Sequence, residues 1–242
     1  MPFFDDSGVD TSERRGPLWG AFATLRDQVE RLVALNVAWS AQLLPALVAL
    51  GFPELPLWLR AALLLYSLTA LAPATGLLYA LALRAARGEH LGLDLARQTL
   101  AEIALPSLRT LAPLFGTLGA LAAAALALGQ AGGALVALDV LARLLLLLLL
   151  FCSAYWGPLV ADQPQLGVVA VARRAAGLAW RYPGRTLLAC GAVLLALLLA
   201  AISVGGLFLI APALAALLQA HMYEEVLQLS RPAQPASATR AS

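Results

Sequence analysis

Lysine is absent from this 242-residue chain, and all sixteen of its basic residues are arginine. That lack reads as genome composition rather than function. Charged residues of both signs make up only 12% of the chain, about half the roughly 25% of a soluble domain. So few charges argue against a water-soluble body, and a net charge of +2 is too small to imply a nucleic-acid partner. There are two cysteines, Cys152 and Cys190, both inside apolar runs. Their number and setting exclude a disulfide framework and fit small packing residues. The two histidines are His90 and His221. His221 has helical spacing to Glu224 and Glu225, but a stable metal site takes three or four ligands, so no metal is expected. The chain has no Gly-x-Ser-x-Gly, His-Glu-x-x-His or phosphate-loop pattern. No enzymatic activity and no cofactor are therefore expected. The opening MPFFDDSGVDTSERRGPLWG is acidic first and lacks a short apolar core with a small-residue cleavage site, so no removable signal peptide is read there.

What the chain has in abundance is oil. Hydrophobic residues make up 61% and mean hydropathy is +0.82. The stretch from Leu57 to Gly88 is long enough to cross a bilayer, which takes about 20 mostly apolar residues. Pro73 interrupts it and cannot bond the carbonyl of Thr69. In hydrocarbon that carbonyl needs a partner within the protein, so a bent helix packed among others is expected. The predicted fold class is all-α, a polytopic transmembrane helix bundle. Its six spans lie near residues 32–50, 57–83, 111–128, 134–158, 186–204 and 207–226. They form one domain over 16–229, between disordered tails at 1–15 and 230–242.

Three further segments read as amphipathic helices on the membrane surface. The first, Pro17 to Arg31, carries Trp19, Phe22, Leu25 and Val29 at helical steps. The second starts after a turn at Arg87-Gly88-Glu89-His90 and is expected to end at Leu105-Pro106. The third carries Val168, Val171, Ala175, Leu178 and Ala179 as its apolar stripe beside Arg173, Arg174, Arg181 and Arg185. Gly116 and Ala120 form a small-xxx-small pair in the third span. The echo between Leu71-Ala72-Pro73-Ala74 and Ile210-Ala211-Pro212-Ala213 is read as coincidence, with Pro73 in the inner half of its span and Pro212 in the outer half of its own.

The arginines give an orientation. One group precedes the first span, and others follow the second, fourth and sixth. With six spans all four groups fall on one side, leaving Arg60 and Arg143 toward the other. The positive side is cytoplasmic, so both termini are expected in the cytoplasm of an inner-membrane protein whose solvent is the lipid bilayer. Few polar residues lie within the spans. Asn36, Gln42, Thr69, Thr75, Asp139 and Arg143 are the candidates for an intramembrane polar site. Asn36 and Gln42 suit either interhelical hydrogen bonds or a substrate contact. Asp139 and Arg143, one turn apart, suit either a self-neutralising pair or a functional site.

Asn36-x-x-Trp39, the Ala72-Pro73-Ala74-Thr75 break, Leu78-Tyr79 and Arg87-Gly88 before an amphipathic stretch resemble the YesL-like family. These are bacterial integral membrane proteins with a domain of unknown function. Tyr155-Trp156-Gly157-Pro158, Tyr182-Pro183 and Pro212-Ala213-Leu214 are similar in layout, so the resemblance covers roughly Phe22 to Gln228. It departs at Leu93-Asp94-Leu95, which lacks an aromatic after the acidic residue. The resemblance implies an accessory or scaffolding role in transport, beside an ABC-type sugar permease, and brings no catalytic residues with it. The alternative is a small carrier with its site where Pro45, Pro73 and Pro212 break helices.

Overall fold

The computed structural model describes residues 17–27, 29–131, 135–202 and 210–230; the expected tails and residues 28, 132–134 and 203–209 lie outside them. The described residues are helical, without a strand. Ten helices follow one another: α1 Pro17–Asp27, α2 Val29–Ala41, α3 Leu44–Gly51, α4 Leu57–Ala86, α5 Leu93–Ala131, α6 Val136–Ser153, α7 Trp156–Asp162, α8 Val168–Arg181, α9 Pro183–Ile202 and α10 Ala211–Ser230. Four helical stretches are long and apolar enough to cross a membrane: Glu30–Gly51, Leu57–Ala86, Leu93–Gln130 and Val136–Asp162. A shorter apolar helix runs over Pro183–Leu198.

Two of these stretches are broken inside. Gln42 and Leu43 form a turn between α2 and α3, with their N–H groups donating to the carbonyls of Trp39 and Ser40 at 3.1 and 2.9 Å. Pro45 is the cause: it has no N–H for Ala41, and its ring collides with that carbonyl in a straight helix. Ala154 and Tyr155 make the second break, between α6 and α7.

Elsewhere proline yields. Helix α4 runs through Pro73, and α5 runs through both Pro106 and Pro113. The expected helix end at Leu105-Pro106 is therefore wrong, and the second surface helix and the third span are one helix. Apolar contacts on both sides of Pro106, through Ile103, Leu111 and Leu114, hold the helix through the missing bond. Its 39 residues amount to about 58 Å at 1.5 Å per residue, against a hydrocarbon core of about 30 Å.

Helices α4 and α5 form an antiparallel hairpin around Gly88, whose φ of 85° is open to glycine without strain. The Glu89 N–H reaches the Arg84 carbonyl and the Gly88 N–H the Ala85 carbonyl, each at 3.0 Å, a Schellman cap. Ala72, Gly76 and Ala80 are buried on α4. A Cβ at Gly76 would lie 1.8 Å from Ser107 Oγ, so the two backbones meet there. The small-residue seam is thus on α4. Gly116 has no neighbouring helix near its Cβ position and Ala120 is exposed.

Helix α10 is enclosed by its neighbours. Ala213, Ala216, Leu217, Ala220, Tyr223 and Val226 are all fully buried, packed against α4, α9 and α1. Helix α6 is its opposite: Ala142 is its one buried residue among those described, and its leucines face outward nearly all round. Helix α8 buries Val171, Ala175 and Ala179 and exposes Trp180, as its stripe predicts. In helix α1 Trp19 and Phe22 are exposed and Ala21 is buried; Gly20 and Thr24 let α1 lie close against His221 of α10.

Candidate functional site

Three polar features emerge, at two levels and at opposite ends. The first is a cavity of about 270 Å³ lined by Trp39, Ser40, Thr75, Tyr79, Leu197 and Pro212, among others. The α2–α3 break opens it on one side and the start of α10 bounds it on another. The Trp39 indole N–H donates to Thr75 Oγ at 2.9 Å. Asn36, fully buried, lies one turn before Ser40 on the same face of α2. The Tyr79 hydroxyl donates to the Gln219 side-chain carbonyl, and its ring lies flat against Gly157, where a Cβ would come within 2.2 Å. Among the described residues no charged one lines the cavity.

Pro73 and Pro212 are at matching depth here, against the expectation of opposite halves. Helices α4 and α10 run in the same direction, and Thr75 stands twelve residues before Arg87 as Pro212 stands twelve before Glu224. Those two end residues are joined, which fixes the register.

That joint is the second feature. Arg87, just past the end of α4, bonds Asp162 at the end of α7 at 2.6 Å and Glu224 of α10 at 2.7 Å. The Tyr223 hydroxyl donates to the other oxygen of Asp162 at 3.1 Å. Burial works against the Arg87 charge, but the hydrogen bonds it donates to Asp162 and Glu224, with their negative charges, outweigh it and raise the pKa. Arg185 pairs with Glu225 at 2.9 Å nearby, and Arg84 approaches Glu102 at 3.6 Å. Tyr155, buried, donates to Thr186 Oγ at 3.0 Å, because that hydroxyl spends its own proton on the Tyr182 carbonyl. Four helix ends are tied at this one pole. Glu224 and Glu225 are thereby turned to guanidinium groups, while His221 faces Thr24.

The third feature is at the far pole. Arg143 bonds Asp139 at 2.8 Å, and its guanidinium lies over Gly129 at the end of α5. Arg60 donates to the Ala49 carbonyl at 3.0 Å. The two arginines that stand apart from the four sequence groups are thus both tied by local partners.

The six sequence candidates therefore do not form one site. Thr75 lines the cavity, and Asn36 is buried one turn before Ser40, which lines it too. Gln42 bonds back to Ala38 and Thr69 to Leu65 and Tyr66, each within its own helix. Asp139 and Arg143 are at the other end of α5. Sequence reasoning missed Tyr79, Gln219 and the Arg87–Asp162–Tyr223–Glu224 cluster; the one available signal was a cation beside a helix-ending glycine. Compared with protein-family models, with curated proteins and with solved structures, the chain matches none.

Proposed function

We propose that this chain is a six-span protein of the bacterial inner membrane, with both termini in the cytoplasm, and that it is an accessory or scaffolding component of a transport system. It performs no catalysis in this reading. The observation that carries it is α6. Its side chains Leu138, Leu141, Leu144, Leu147 and Leu148 are each about half exposed or more, around nearly the whole circumference. A helix held along so little of its surface leaves apolar area for lipid or for the helices of a partner. The partner implied by the YesL-like resemblance is an ABC-type sugar permease. The topology is supported by the arginine pole, where the ends of α4, α7 and α10 and the start of α9 meet, and by Arg60 and Arg143 having their partners at the other pole. Helices α9 and α10 supply the fifth and sixth spans, with α1 and α8 lying at the cytoplasmic interface.

The test is transport. Deletion should lower sugar uptake, and the chain should restore it only where the permease is present. Photocrosslinking side chains at Leu144 and Leu148 should capture permease subunits. A restoration without any permease would refute the accessory role.

One observation favours a second reading, the small carrier: the cavity that Pro212 lines beside the α2–α3 break at Pro45. Against it, the polar groups of Trp39, Thr75 and Tyr79 are already bonded within the protein. Uptake of labelled sugar by liposomes holding only this chain would establish the carrier.

A further inference from the structure

A second and larger hollow, of about 790 Å³, lies between α5, α6 and α8, well within the size of pockets that hold small ligands. Its walls include Ala120 and Ala124 of α5, Leu148 of α6, Trp156 of α7, and Ala172 and Ala176 of α8. The small residues of α5 that make no helix–helix seam thus have a use: they recess one side of a groove. The lining is apolar apart from Trp156 and Thr117, whose hydroxyl donates to the Pro113 carbonyl within α5. Trp156 is 2% exposed, and its indole N–H has no partner among the described residues. A buried donor left unmade costs about 1–3 kcal/mol. An indole can only donate, so a matching occupant brings an acceptor.

Charge stands beside the groove. Arg173 follows Ala172 on α8 and lies about 60° round the helix from Ala176. It is exposed. Among the described residues it has no hydrogen bond or ion pair, whereas Arg174 bonds Gln163 and Arg181 covers the Tyr182 ring. Trp180 and Val169, exposed at 83% and 69%, lie on the same side of α8, as on a helix seated at the headgroup boundary.

We propose that this groove binds one anionic phospholipid. An acyl chain lies along Ala120, Ala124 and Leu148, an ester carbonyl accepts from Trp156, and the headgroup phosphate meets Arg173. The combination of an apolar channel, one donor-only group and one free cation matches acyl chain, ester and phosphate in that order. The proposal requires α5 and α6 to be in lipid, and holds whether or not the partner is a permease.

The experiment uses the full chain purified in mild detergent and stripped of lipid, with phosphatidylglycerol and phosphatidylcholine added separately. Binding is read by native mass spectrometry and by the shift in thermal unfolding. One phosphatidylglycerol per chain is expected, bound at least tenfold more tightly than phosphatidylcholine. Arg173→Gln should remove that preference and leave phosphatidylcholine binding unchanged. Ala124→Phe should abolish binding of both. Ala120→Phe, at another exposed position, is the second blocking variant should Ala124→Phe not elute as a folded species. Equal affinity for the two lipids in the unaltered chain would overturn the proposal. So would phosphatidylglycerol binding that survives both Arg173→Gln and a folded blocking variant.

Discussion

Replacing Gly157 with alanine should destabilise the bundle by about 0.5–4.5 kcal/mol. The new Cβ would stand 2.2–2.4 Å from three atoms of the Tyr79 ring, inside any allowed contact. Forcing extra volume into a packed interior costs about 1–3 kcal/mol. The ring cannot withdraw without breaking its hydroxyl's bond to Gln219, a further net 0.5–1.5 kcal/mol or so. Alanine's better helix propensity returns at most about 1 kcal/mol. The assay is a reversible titration of the micellar protein with SDS, followed by tryptophan fluorescence, on a double-mutant cycle with Tyr79→Ala. In that background the ring is gone, and Gly157→Ala should be neutral or mildly stabilising. A cost below about 0.5 kcal/mol in the unaltered chain, or the same cost in both backgrounds, would refute the packing described here.

Gly76→Ala should cost about 1–3 kcal/mol by the same reasoning, since its Cβ would meet both Oγ and Cβ of Ser107; adding Ser107→Gly should recover most of it in the same titration. Arg87→Ala strips the partner from both Asp162 and Glu224. The group is 40% exposed, so the loss should fall between the surface and buried limits, about 1–2 kcal/mol, and Glu224→Gln in addition should cost little more. Asp139→Ala with Arg143→Ala should cost less than about 1 kcal/mol and leave restored sugar uptake unchanged; abolished uptake would reassign the pair to a transport path.

Element type was legible because hydrophobic runs of this length have one solution in lipid. What the residues did not reveal is where proline breaks a helix. Pro45 ends one and Pro106 does not, and the difference is tertiary: Pro106 is flanked by buried contacts to α4, while the α2–α3 turn opens on a cavity. The seam was misplaced for a related reason. Gly116 and Ala120 satisfy the small-xxx-small spacing as well as Ala72, Gly76 and Ala80 do, and only the facing helix decides between them. Of the cavity lining, Thr75 was found by polarity at depth. Tyr79 and Gln219 were not, because a tyrosine and a glutamine 140 residues apart carry no local signal of their bond. The Asp139–Arg143 pair needed only helical spacing and was fully readable.

The most direct measurement is of sidedness. In a Cys152→Ala, Cys190→Ala background, single cysteines are placed by Glu54→Cys, His90→Cys, Gln130→Cys, Gly205→Cys and Gln228→Cys, and intact cells are treated with a membrane-impermeant maleimide. Labelling from outside is predicted at positions 54, 130 and 205, and only after lysis at 90 and 228. Labelling of position 90 on intact cells would invert the arginine pole, and protection of position 205 until lysis would remove the last two crossings.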